Sequence, residues 1–134
     1  MSDQLLTKPI QNFPENPYLD WIKTGLKKYE GRLTEKIVAW QLHIGQHIKF
    51  FDQNDKNSWV VVKVTSLPTF NDFGEGFDNL GSELIPNHTR EKVIDLYNGL
   101  YHYPDEVIRP SQPSEMIKKC GVVAIGFEIV SKNF

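Results

Sequence analysis

A chain of 134 residues, 40% hydrophobic and 12% aromatic, has the size and apolar content of one domain around one core. Its formal net charge of −2 supplies no global basic field, which argues against a protein that coats duplex nucleic acid and leaves room for one nucleotide or a short single strand. No apolar stretch approaches the ~18 residues of a membrane span, residues 1–15 lack the apolar run of a signal peptide, and the single Cys120 cannot close an internal disulfide. These features predict a soluble, cytoplasmic chain with no membrane contact.

Residues 1–15 are polar, contain Pro9 and Pro14, and show no periodicity, so an extended or partly disordered arm is expected before a domain over 16–134. Asn16-Pro17 reads as an Asx cap followed by proline at the first helical position. Leu19, Ile22 and Leu26 then recur at helical spacing, and Gly25 is placed to end the helix. A strand is expected over Lys27 to Leu33. Alternation places Lys28, Glu30 and Arg32 on one side and Tyr29 and Leu33 on the other, while Lys27, at the helix exit, has no direction that a period of two assigns.

The stretch 34–42 reads as a connector with Val38 and Trp40 plugging the core. Ile48 and Phe50 alternate, Asp52 to Asn57 is a turn cluster, and Ser58 to Leu67 with its valines is a central strand, so the two runs predict a hairpin. A partly helical connector is expected over 69–79. Thr89 opens a helix with Val93, Leu96, Tyr97 and Leu100 on one face. Tyr101 to Ser114 holds Pro104, Pro110 and Pro113 and reads as a loop, and the last strand runs from Gly121 to Val130, with Cys120 in an apolar strand position just before it. Five to six β segments with helical pieces between them predict an α+β chain, a small mixed barrel with peripheral helices.

Few motifs carry chemistry. His43 and His47 are four apart, but Gly45 interrupts them and no third ligand is near, so no metal is expected. Gly74-Glu75-Gly76 starts like a dinucleotide fingerprint, yet Asn79 holds the third glycine position and no strand–helix context surrounds it, so no cofactor is implied. What remains is the charged run Lys27, Lys28, Glu30 and Arg32, together with Glu83. One reading is a solvated face whose charges pair with one another. The other is a partly dry cleft in which a lysine and a carboxylate shift each other's proton affinity.

The run Gly25-Leu26-Lys27-Lys28-Tyr29-Glu30-Gly31-Arg32 resembles the G-x-K-x-x-E/T-x-R signature of the ASCH domains, within the PUA-like fold. Ile44 to Phe50 is similar to that family's G-D-x-I-x-F element, with Gln46 in place of Asp, and Val60 to Leu67 and Gly121 to Glu128 are similar to its central and closing strands. The resemblance implies a PUA-like barrel that binds RNA or nucleotides in a cleft lined by the signature lysine, acid and arginine. One bacterial branch hydrolyses acetylated cytidine with that lysine, a threonine three residues later and a glutamate before the long helix. The matching positions here are Lys27, Glu30 and Glu83, so a carboxylate stands where that branch has its attacking hydroxyl. Ribonuclease activity is also attributed to members.

Three functions follow. The first is an RNA- or nucleotide-binding domain acting in RNA metabolism through a cleft of Lys27, Glu30, Arg32 and Glu83, with possible hydrolysis of RNA. In it Lys28 and Arg32 contact ligand, and Tyr29, Trp40 or Phe70 supplies a stacking face. The second is a small amidohydrolase acting on a modified nucleoside, with Lys27, Glu30 and Glu83 as catalytic groups. The third is a protein-interaction module whose charged face is merely solvated.

Overall fold

The computed structural model describes residues 5–133. Among these residues six strands form one curled, mixed sheet: β1 (Leu6–Ile10), β2 (Tyr29–Leu33), β3 (His47–Asp52), β4 (Asp55–Ser66), β5 (Thr69–Phe70) and β6 (Val122–Lys132). The strand order is β1-β3-β4-β6-β2, with β5 also pairing to β6. Against it lie the helices α1 (Tyr18–Lys23), α2 (Thr34–Trp40), α3 (Phe73–Leu80), α4 (Arg90–Leu100) and α5 (Glu115–Cys120), with a 3-10 turn at Gly81–Glu83. This is the small mixed barrel with peripheral helices that the β-rich pattern predicts.

The hairpin of β3 and β4 follows from local rules. Burial alternates strictly along β3, with Ile48 and Phe50 facing the core, and Val60, Val62 and Val64 do the same on β4. The turn between them is set by Asp52, whose Oδ1 accepts from Asn54 N–H at 2.9 Å. A second cluster of buried residues joins Leu33, Phe73, Ile85, Val93, Tyr97 and Ile117 under α3, α4 and α5. Tyr18 packs against both clusters and so stands at the seam between them.

Several expectations are corrected. The extended arm is built into the sheet: Leu6–Ile10 pairs in parallel with β3, Leu6 opposite Ile48 and Ile10 opposite Asp52. Pro9 is tolerated there because β1 is an edge strand with one free side. Asn16 does not cap α1. Pro17 takes the cap position, no side chain closes it, and the Pro17 carbonyl accepts from Trp21 N–H. Val38 is 73% exposed, because Ile37 and Trp40 form the inward stripe of α2 and Val38 sits off it. Cys120 ends α5, a helix absent from the sequence reading, whose N-cap is Ser114 accepting from Ile117 N–H. Leu100 is exposed rather than core because it stands on the wall of the cleft described next.

Candidate functional site

The site begins where α1 stops. Gly25 adopts φ +83°, a conformation open to glycine, and turns the chain back toward the helix it has left. Lys27 N–H then donates to the Trp21 carbonyl at 3.0 Å and Lys28 N–H to the Glu83 carbonyl at 2.8 Å. These two bonds decide what alternation left open. Lys27 points inward, only 1% exposed, and its ammonium donates to the Leu84 carbonyl, lies 3.5 Å from Glu30 Oε1 and sits 5.5 Å from the Tyr18 ring. Lys28 points outward and pairs with Glu83 Oε2 at 3.3 Å, both side chains about half exposed.

Glu30 bridges two cations. Its Oε1 faces Lys27 and its Oε2 meets Arg32 Nη1 at 3.1 Å. Arg32 also donates to the Gly31 carbonyl and lies 5.9 Å from the Trp40 ring, which carries the Lys8 ammonium at 4.3 Å. Gly31, between the two charged residues, is required by packing: a Cβ there would stand 2.8 Å from both Phe73 Cε1 and Tyr97 Oη. Its absence lets the stacked rings of Phe73 and Tyr97, 3.7 Å apart, press directly on the charged strand.

Glu30 and Arg32 form the floor of a cleft of about 280 Å³. Its walls come from β1 (Pro9, Ile10), α1 (Tyr18) and α4 with its exit (Leu96, Tyr97, Leu100, Tyr101). Burial lowers the proton affinity of Lys27, opposed by the Glu30 carboxylate. Burial also works against the Arg32 charge, but the Glu30 carboxylate outweighs it and the guanidinium is held more firmly protonated. Burial, reinforced by Glu30, pushes the Tyr18 hydroxyl up to about 12 and that of Tyr97 well above its ordinary value. Burial raises Tyr101 as well, against the pull of Arg32. The cleft therefore offers a fixed cation, a carboxylate and neutral phenols in partly dry surroundings.

Of the residues singled out from sequence, Lys27, Glu30 and Arg32 come together, with Trp40 beside the arginine. Glu83 approaches through its backbone while its carboxylate stays outside with Lys28. Tyr29 lies on the other face of β2, against Gly126, and Phe70 packs near Gly76 under α3. The sequence reading missed Tyr18, Tyr97 and Tyr101 as cleft residues. Tyr18 opens α1, Tyr97 lies within α4 and Tyr101 follows it, positions that core aromatics occupy equally. Among the described residues no group of three or more His, Cys, Asp or Glu side chains is placed to hold a metal, and no helix is long and apolar enough to cross a membrane.

No protein-family model and no curated protein matches the chain. Solved structures do. Hypothetical protein PH0355 is 28% identical, with 93% of this chain and 100% of that one covered and a TM-score of 0.66. Protein PF0455 from Pyrococcus furiosus is 29% identical, with 96% and 99% covered and the same TM-score. The ASCH domain from Lactobacillus crispatus JV V101 superposes over 96% of this chain and 81% of its own, with a TM-score of 0.60 at 10% identity. The chain has an ASCH-like fold. The run Gly25 to Arg32 follows the end of α1 and covers most of β2, the two elements that supply Tyr18, Glu30 and Arg32 to the cleft.

Proposed function

We propose that the chain is a nucleotide- and RNA-binding module whose cleft takes a single base with its attached sugar or phosphate. The observation that carries this is the Glu30–Arg32 pair at the floor of a small cleft walled by Tyr18, Tyr97 and Tyr101. A volume of about 280 Å³ falls just below the range of ligand sites, about 300 to 1,000 Å³, and suits a nucleoside better than a larger ligand. The guanidinium donates to a carbonyl or phosphate oxygen, and the carboxylate accepts from an exocyclic amine or ring N–H. Lys27 serves as the buried counter-charge that fixes Glu30. The test is equilibrium binding of the four nucleoside monophosphates and a short single-stranded RNA to wild type and Arg32→Gln. Affinity should fall at least tenfold in the variant, the scale of one charge-assisted hydrogen bond at about 1.5–3 kcal/mol. Unchanged affinity would sink the reading.

A hydrolytic reading of Glu30 and the lysine buried behind it is favoured by one observation, the burial that lowers the proton affinity of Lys27 beside that carboxylate. It rests on Lys27 and Glu30 alone, since the Glu83 carboxylate pairs with Lys28. Single-turnover assays with acetylated cytidine and with RNA test it. Product from wild type and none from Lys27→Met would establish it, and no product at high enzyme concentration would remove it.

A further inference from the structure

The outer face of the β3–β4 hairpin is chemically unlike the rest of the molecule. Register places His47 opposite Lys63, Lys49 opposite Val61 and Phe51 opposite Trp59, and all six are the outward members of the alternation that buries Ile48, Phe50, Val60 and Val62. None of them is a carboxylate. The Lys49 ammonium lies 4.9 Å from the Trp59 ring centroid. Beside it Thr7, Lys49, Phe51 and Lys56 line a shallow depression of about 270 Å³. The flanking acids are Glu128 on β6, opposite Lys63, and the exposed Asp55 beside Lys56 at the start of β4. In a chain of net charge −2, three lysines and a histidine interleaved with two aromatic rings on one face are a local reversal of sign.

This face is continuous with the cleft. Pro9 lines the cleft and is the register partner of Phe51, which lines the depression, while Thr7 is the partner of Lys49. Edge strand β1 is thus the shared rim between the two. We infer that the outer hairpin face is a second nucleic-acid surface, over which the single strand runs after one of its nucleotides enters the cleft. The inference rests on the cleft reading for the direction of the strand only. Phe51 offers an apolar ring on which a base stacks, and Lys49, Lys56 and Lys63 meet successive phosphates. A cationic groove with interleaved rings is the arrangement that holds single strands without reading sequence. It also places a cost on duplex, whose bases have no exposed faces to stack.

The test is fluorescence titration of the full chain with three probes: a nucleoside monophosphate, a short single-stranded RNA of mixed sequence, and inorganic polyphosphate. Three phosphate contacts on single-stranded nucleic acid make the salt slope of log K steeper by about 2 for the RNA than for the mononucleotide. This needs only the wild type, and a difference below about 1 overturns the inference. The triple exchange Lys49→Gln, Lys56→Gln, Lys63→Gln should abolish that difference and leave mononucleotide affinity intact. Phe51→Ala should weaken RNA about tenfold and polyphosphate hardly at all. Polyphosphate binding as tight as RNA would overturn the assignment to nucleic acid. RNA affinity that survives the triple exchange but falls in Arg32→Gln would remove the second surface and leave the cleft. RNA affinity lost in the triple exchange, with no mononucleotide binding in the wild type, would remove the cleft and leave the surface.

Discussion

The Lys27 ammonium lies 3.5 Å from the Glu30 carboxylate, with the two side chains 1% and 7% exposed. An ion pair so enclosed is costly to assemble and more costly to break, because removing one partner strands the other charge out of water. Glu30→Gln should therefore destabilise the fold by about 3–5 kcal/mol, read as a lower denaturant midpoint. The double variant Lys27→Met, Glu30→Gln should lose less than the sum of the two single variants. Additive losses would mean that the two groups are not coupled.

The second charged pair should behave in the opposite way. Lys28 and Glu83 are both about half exposed, so water screens them and Glu83→Gln should change stability by under ~1 kcal/mol. The same variant should leave nucleotide affinity in the cleft unchanged. A tenfold fall in affinity would place the Glu83 carboxylate in the site after all.

Gly31→Ala should cost about 1–3 kcal/mol, since the new methyl must displace Phe73 or Tyr97 from the strand. Because Tyr97 walls the cleft and Phe73 stacks on it, ligand affinity should fall along with the unfolding midpoint. A variant of wild-type stability and affinity would show that the rings yield freely.

Alkaline pH provides a further check. Tyr18 titrates at about 12 in the folded chain against 10.0 unfolded, so its contribution is complete below pH 10 and is lost as pH rises toward 12. Tyr97 and Tyr101 are raised too and act in the same direction. Lys27, lowered by burial, acts oppositely, favouring the fold as pH rises toward 10.5. Three phenols against one amine predict a net loss of stability above pH 10. Tyr18→Phe should flatten the decline, and an equally steep decline in that variant would assign it to other groups.

Much of the β framework was legible in the chain because its causes are local. The alternation at Ile48 and Phe50, the valines of β4 and the Asp52 turn each act within a few residues. Strand β1 was not legible. It is five residues long, contains a proline, and gains its bonds from parallel pairing to a segment some forty residues away. The cleft was half legible: the charged residues announce themselves by type, whereas the tyrosines look like any core aromatic.

What the sequence determined by itself is the chemistry available, a lysine, a carboxylate and an arginine within six residues behind a glycine stop. Only the tertiary structure decided which of them face one another. Lys27 turns inward and Lys28 outward because their backbone N–H groups are taken by carbonyls of Trp21 and Glu83. The walls of the cleft come from β1, α1 and α4, which no short-range pattern brings to one place. Periodicity encodes the face of an element on which a residue sits, and long-range packing sets what that face meets.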